Sequence, residues 1–209
     1  MNYTQDISPA SPARIQAAQG TQDTQDTSDE ALVAQIAQRD KRALQTLYSR
    51  HHVRIYRFAL RFLNDEAAAE DTVSEVFIDV WRQAERFEGR SQVTTWLLAI
   101  ARNKALSLLR RRSSEELDDE VAEFIEDPSD NPEAAMLKSQ RASVLQDCLT
   151  QLSPAHREIV DLVYYHEKSV EEVAQIISVP ANTVKTRMFY ARKRIGELMA
   201  AKGISRAQI

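Results

Sequence analysis

The chain has 209 residues, 43% of them hydrophobic, and its 31 Asp and Glu outnumber its 27 Lys and Arg for a formal charge of −4. That length supports one or two domains with adequate cores; no window approaches the roughly 18 apolar residues of a membrane span, and Met1-Asn2-Tyr3-Thr4-Gln5-Asp6 lacks the basic head and apolar run of a signal peptide. Four Gly and scarce β-branched alternation exclude a sheet-rich fold, leaving an all-α protein expected in the cytoplasm.

The first 27 residues, with Gln-Asp-Thr repeated through Thr21-Gln22-Asp23-Thr24-Gln25-Asp26-Thr27, read as a disordered tail. Ser28 is placed to cap a short helix through Gln38. A long helix from Lys41 to Leu63 has Leu44, Leu47, Tyr48, Ile55, Phe58 and Phe62 to bury, and Asn64-Asp65 makes the corner. A third helix is predicted from about Glu66 to Arg86, setting Val73, Phe77, Val80 and Trp81 against Asp71, Glu75 and Asp79. A polar loop, Phe87 to Val93, precedes a helix that begins at Thr94 or Thr95, carries Trp96, Leu97, Ile100, Ala101, Ala105 and Leu108, and ends in Arg110-Arg111-Arg112.

Charge is strongly segregated along the chain. Residues 1–28 sum to −2 and residues 29–112 to +4; residues 113–137 hold ten carboxylates and no Lys or Arg; residues 138–209 return to +4. The acidic run, with Pro128 and Pro132 inside it, is expected to repel itself into an extended tether. The predicted division is therefore a tail (1–27), a front helical domain (28–112), an acidic linker (113–137) and a rear helical domain (138–202).

From Gly89 to Arg112 there are six basic groups, Arg90, Arg102, Lys104, Arg110, Arg111 and Arg112, and no acid, with hydroxyls at Ser91, Thr94 and Thr95. Cations beside a polar loop and an indole suit single-stranded nucleic acid, where backbone charge is neutralised and an unstacked base is held. Trp96 itself reads mainly as packing, and arginines ending a helix also favour its C-terminal dipole.

In the rear domain Ser169-Val170-Glu171-Glu172 forms a capping box that starts a helix with Val170, Val173, Ala174 and Ile177 on its apolar face. Pro180 ends that helix by about Ser178, a position where Gly would more easily supply a positive φ, and Asn182 is the expected N-cap of the next. The second helix buries Val184, Met188, Ala191 and Ile195 and turns Asn182, Thr186, Phe189 and Lys193 outward, flanked by Lys185 and Tyr190. Ala181 to Ile195 holds Lys185, Arg187, Arg192, Lys193 and Arg194 and no carboxylate, so the pair reads as a DNA-binding helix-turn-helix. Phe189 suits either a thymine methyl or a protein partner. The single cysteine, Cys148, reads as a buried small hydrophobe, and neither it nor His51, His52, His156 and His166 show metal-ligand spacing. No nucleophile constellation or phosphate-cradling Gly loop points to catalysis, and no cofactor or metal is expected.

Five blocks in order carry a family resemblance: Leu44-Gln45-Thr46-Leu47-Tyr48-Ser49-Arg50-His51, Ala69-Glu70-Asp71-Thr72-Val73-Ser74-Glu75-Val76-Phe77, Thr95-Trp96-Leu97-Leu98-Ala99-Ile100-Ala101-Arg102-Asn103, Leu152-Ser153-Pro154-Ala155-His156-Arg157-Glu158 and Thr183-Val184-Lys185-Thr186-Arg187. Together they resemble a bacterial sigma factor of the sigma-70 family, extracytoplasmic-function group. The resemblance implies that the front domain is region 2, docking on the beta-prime clamp helices of RNA polymerase through Asp71, Glu75, Phe77, Val80 and Trp81. It implies that the melted minus-10 element is held by Arg90, Ser91, Gln92, Thr94, Thr95, Arg102, Asn103, Lys104, Arg110 and Arg111. The rear domain would be region 4, reading the minus-35 duplex through Asn182, Thr183, Lys185, Thr186, Arg187, Tyr190, Arg192 and Lys193 while another face meets the beta flap. The linker would thread the polymerase cleft as a polyanion mimic, the alternative being a plain solvated spacer. An anti-sigma factor is the implied inhibitor.

Family members often have Gln where Ser74 stands, an aromatic where Val93 stands, Gly where Asn182 stands and Arg where Tyr190 stands, so individual base contacts are less specified than the domains. The rival reading from the same helix-turn-helix is a conventional regulator that binds duplex DNA as a dimer, which leaves Arg90 to Arg112 without a role.

Overall fold

The structure, a computed structural model, describes residues 27–115, 144–145 and 147–203. Most of the predicted tail and of the acidic linker lies outside the described residues. Helices account for every regular element among them.

The front lobe is built from four helices: α1 (Asp29–Ala37), α2 (Lys41–Leu63), α3 (Glu66–Gln83) and α4 (Val93–Glu115). Each of the first three starts on a side chain that accepts from an otherwise orphaned amide: Ser28 from Ala31, Asp40 from Arg42, and Asp65 from Ala68. Asn64 closes α2 in the left-handed region at φ 52°, so the Asn64-Asp65 corner is formed as expected. Leu32, Ile36, Leu47, Ile55, Phe58, Val76, Val80 and Leu97 make the front core. Ala59, Ala68, Ala69 and Ala105 line a second cluster with Leu63. Their missing side-chain bulk brings α2, α3 and α4 close together, and Arg112 at the far end of α4 reaches Asp65 at 2.7 Å.

The rear lobe consists of α5 (Pro154–Tyr164), α6 (Val170–Ile177) and α7 (Ala181–Ala201), preceded by helical residues from Asp147 to Thr150. Pro154 sits in the first turn of α5, where its missing N–H costs nothing. Ile159, Leu162, Val173, Ile176, Val184 and Ala191 are fully buried here, and Cys148 is buried as the sequence suggests. The capping box at Ser169 is complete in both directions: the Glu172 amide donates to Ser169 Oγ at 3.2 Å and the Ser169 amide donates to Glu172 Oε2 at 3.0 Å.

Four expectations are corrected. Tyr48 is 42% exposed rather than buried, because it lies on the outer edge of α2, stacked on His52 one turn on at 4.9 Å. The third helix stops at Gln83 and tightens into a 3-10 turn, Ala84–Arg86. The next helix starts at Val93 instead of Thr94 or Thr95 and runs through Glu115, into the start of the predicted linker. Asn182 is not the N-cap of the recognition helix: the cap is Pro180, two residues earlier, whose carbonyl accepts from Thr183 at 2.9 Å. Proline at the cap loses no amide hydrogen bond, and its fixed φ of −60° already suits the approach to a helix.

The two lobes do not stand apart. One continuous set of buried apolar residues runs from Phe58, Leu97 and Ala101 of the front lobe to Leu149, Ile159 and Val173 of the rear, and α4 packs along α6.

Candidate nucleic-acid interface

The recognition helix is held at its angle by the turn before it. Ser178 adopts φ 56°, ψ 48°, the left-handed conformation anticipated for that position, and the Val179 amide donates to the Ala174 carbonyl at 3.1 Å. Val184, Met188 and Ala191 then fix the inner face of α7 against the rear core. Asn182, Lys185, Thr186, Tyr190, Arg192 and Lys193 are exposed together, while Thr183 and Arg187 are half-buried. Phe189, 65% exposed, stands among them with Tyr190 edge-on at 5.5 Å. Arg192 is steadied by Tyr164, whose hydroxyl accepts from its Nε at 3.1 Å. Thr186 donates its hydroxyl to the Asn182 carbonyl at 2.9 Å, leaving the oxygen to face solvent as an acceptor. The exposed ones among the residues predicted for duplex binding therefore share one cationic surface, within a stretch from Ala181 to Ile195 that holds no carboxylate.

The residues predicted for single-strand binding are divided. Gly89, at φ 67°, turns the loop, and Arg90 is exposed and ion-paired with Glu88. Gln92, Asn103, Arg110 and Arg111 are also exposed, and Ser91 and Thr94 are half-buried. Trp96 packs partly on the core with Phe87 at 4.9 Å, as the packing reading had it. Lys104, by contrast, bonds Glu75 at 2.9 Å and Asp79 at 2.8 Å, and hydrogen bonds to Asp79 and then Glu75 push its ammonium above the ordinary lysine value. One predicted strand contact and one predicted polymerase contact thus neutralise each other within the front lobe. Of the remaining polymerase residues, Asp71 is exposed and Trp81 half-buried with Arg39 over its ring at 5.5 Å, whereas Phe77 and Val80 point into the core at 6% and 0% exposure.

Thr95 and Arg102 are engaged by the rear lobe. Thr95, 1% exposed, donates its hydroxyl to Glu172 Oε1 at 2.6 Å. Arg102 presents Nε and Nη2 to the two carboxylate oxygens of buried Glu158. Lys168, 5% exposed, donates to Thr94 Oγ1 at 2.7 Å, to Gln92 Oε1 at 3.2 Å and to Glu172 Oε1 at 2.7 Å. Burial pushes the Glu172 carboxyl up, but hydrogen bonds from Lys168, Thr95 and the Ser169 amide outweigh it and hold the group down at about 2. Beside this cluster Arg61 of α2 pairs with Asp161 of α5 and lies over the Tyr165 ring at 4.5 Å, and His166 meets Phe58 edge-on at 5.6 Å.

Glu158, Asp161, His166, Lys168 and Glu172 were not singled out from sequence for this contact. Glu158 alone carries a signal, a carboxylate one position before Ile159 and four before Leu162 on the buried side of an amphipathic helix. Among the described residues no group of three or more His, Cys, Asp or Glu could hold a metal ion, and no helix is long and apolar enough to cross a membrane.

Residues 47–115 match the sigma-70 region 2 family and residues 143–195 the sigma-70 region 4 family. The RNA polymerase sigma-H factor of Pseudomonas aeruginosa is 31% identical over 169 residues, covering 77% of this chain and 88% of the relative. The extracytoplasmic-function (ECF) RNA polymerase sigma factor SigK of a Mycobacterium species is 30% identical over 156 residues, covering 72% and 79%. Two solved structures share the fold: CnrH in complex with the cytosolic domain of CnrY (TM-score 0.61, 25% identity, 84% of this chain and 99% of that one) and RpoE in complex with the anti-sigma factor NepR from Bartonella quintana (TM-score 0.58, 28% identity, 75% and 96%). A cationic helix-turn-helix behind a basic helical lobe, matched in order by both conserved sigma regions, places the chain in the sigma-70 family of RNA polymerase sigma factors, extracytoplasmic-function group, which direct core polymerase to promoters.

Proposed function

We propose that this sigma factor divides its work at residues 113–137. Residues 28–112 hold the melted non-template strand of the minus-10 element and residues 138–202 read the minus-35 element as duplex. The observation that carries this reading is the acid-free stretch of α7 from Ala181 to Ile195, on which Lys185, Thr186, Tyr190, Arg192 and Lys193 are exposed together with Asn182. Duplex DNA offers a phosphate ladder to the cations and base edges to the helix N-terminus. Arg90, Ser91, Asn103, Arg110 and Arg111 supply the strand contacts in the front lobe, with Gln92, Thr94, Thr95, Arg102 and Lys104 joining once their present partners release them. Asp71, Glu75 and Trp81 form the face offered to the beta-prime clamp helices, supported from beneath by Phe77 and Val80.

The factor works in the cytoplasm by binding alone, without catalysis: it positions polymerase, stabilises the opened strand and leaves after initiation. Its inhibitor is an anti-sigma factor. Support comes from the likeness to RpoE, solved with the anti-sigma factor NepR, and from an apolar groove of about 490 Å³ between the lobes, lined by Phe58, Phe62, Leu106, Leu109, Leu149 and Val160. Such a groove accepts the apolar face of a partner helix.

Run-off transcription with purified core polymerase on a fragmented genomic template tests the function. Discrete transcripts that need both core and this chain are expected. Tight, core-independent binding of the pure protein to a palindromic duplex at physiological salt would overturn the reading in favour of a dimeric regulator.

A further inference from the structure

We infer that the arginine face of α2 is a docking surface for the chain's own acidic segment, residues 116–127. Between Lys41 and Leu63 there are six Lys or Arg and no carboxylate. Arg50, Arg54, Arg57 and Arg61 recur in steps of four, three and four residues, which sets them in one stripe along the helix. Arg50, Arg54 and Arg57 are exposed and Arg61 is half-buried. Like charges at that spacing repel one another, and an opposing row of carboxylates relieves the repulsion.

Acids from two other elements already close the ends of the stripe. Asp29 of α1 accepts from Arg50 at 2.8 Å, and Asp161 of α5 pairs with Arg61. Between them Arg54 and Arg57 face solvent, with Val53 46% exposed on the same side. The segment from Glu116 to Asp127 matches this surface in composition: it holds seven carboxylates and no Lys or Arg, and Leu117, Val121 and Phe124 are interleaved as apolar companions for Val53.

Position favours the same occupant. Residues 116–143 lie outside the described residues, and both ends of that stretch return to α2. Arg112, in the last turn of α4, bonds Asp65 just beyond the C-terminal end of α2 at 2.7 Å, and Leu149 shares a groove with Phe58 and Phe62. Fully extended, the stretch reaches on the order of 90 Å, against about 16 Å along α2 from Arg50 to Arg61. A tethered segment meets its surface at an effective concentration on the order of millimolar, so pairs that are individually weak at an exposed site suffice together. The contact needs neither promoter nor polymerase, and it stands whichever DNA element either lobe takes.

The test places a nitroxide spin label at residue 122 of the full chain, as Ala122→Cys with Cys148→Ala, and reads paramagnetic broadening of backbone amides by NMR. Broadening is expected to be greater at Arg54 and Arg57 than at Asp71 and Glu75 of α3. It is expected to be lost in the double variant Arg54→Glu and Arg57→Glu, and in about 1 M salt, where the screening length falls to about 3 Å. The salt arm alters no residue of α2, so it decides the matter even where the reversed variant does not fold. Broadening no greater on α2 than on α3, or persisting in the reversed variant or at high salt, overturns the proposal. So does broadening that arises only between chains when spin-labelled and isotope-labelled protein are mixed, which makes the occupant a second copy. A label at residue 24, as Thr24→Cys, that broadens Arg54 and Arg57 while the label at residue 122 does not would also overturn it and give the surface to the N-terminal tail.

Discussion

Arg102 and Glu158, 56 residues apart in the chain, form a two-pronged ion pair across the lobes, with 17% and 7% of their side chains exposed. A pair this far from water costs solvation that only good geometry returns, and removing one partner leaves a charge stranded. A double-mutant cycle of Arg102→Ala and Glu158→Ala, followed by urea unfolding, is expected to give a coupling energy of about 2 kcal/mol. A coupling below about 0.5 kcal/mol, the level of an exposed pair, would refute the assignment of this contact as a principal link between the lobes.

On the recognition helix, Lys185→Ala or Arg187→Ala should weaken holoenzyme binding to a promoter about tenfold. If the lost group held a phosphate, the slope of log affinity against log salt should flatten by about 0.9 for each cation removed. Unchanged affinity with an unchanged slope rules that residue out as a DNA contact.

For the front loop, Arg90→Ala and Ser91→Ala should leave the first, closed complex of holoenzyme with duplex intact and reduce the yield of opened promoter several-fold. Permanganate reactivity of unpaired thymines reads this directly. Loss of the closed complex instead would move both residues from strand capture to duplex recognition.

Acid should part the lobes through Glu172. Its folded value of about 2 lies below the ordinary 4.5, so the folded state binds this proton less readily than the unfolded chain does. The stabilisation is fully present above about 4.5 and is lost as pH falls toward 2. Both tryptophans, Trp81 and Trp96, lie in the front lobe, and Trp96 adjoins Thr95. An acid titration of their emission should show a step in that window which Glu172→Gln abolishes. A step that persists in the variant would assign it to another carboxylate.

Ser178→Gly should raise stability by about 0.5 to 1 kcal/mol, because a non-glycine residue at φ 56° carries left-handed strain that glycine does not. A thermal melt shifted upward by about 1 to 4 °C is the expected readout. A downward shift would mean that serine's side chain contributes more than the strain removes.

Local signals were the legible part of this protein. The Lys41–Leu63 helix, the Ser28 cap, the corner at Asn64-Asp65 and the capping box at Ser169 all depend on residues within four positions of one another, and each is found as read. The end of α6 near Ser178 was legible from Pro180, but the positive φ there was legible only in part, because the position carries serine rather than glycine. Asn182 was misjudged as a cap because the proline two residues earlier is as good a helix entrance and needs no side-chain acceptor. Tyr48 was misjudged because the apolar stripe of a long helix drifts at its edges, and which edge faces water depends on where α3 crosses it. The lobe contact was out of reach: Arg61 and His166, or Thr95 and Glu172, are brought together by tertiary packing over 105 and 77 residues, and no periodicity encodes such pairings.

Glu172 uses its two oxygens for different neighbourhoods, Oε2 accepting from the first amide of its own helix motif and Oε1 from Lys168 and Thr95. One carboxylate is thus both the doorstep of the helix-turn-helix and the hand clasping the other half of the molecule. When the halves separate, that doorstep loses the Thr95 hydroxyl and keeps Lys168 and its own amide, so the start of α6 survives the parting on contacts its own lobe supplies.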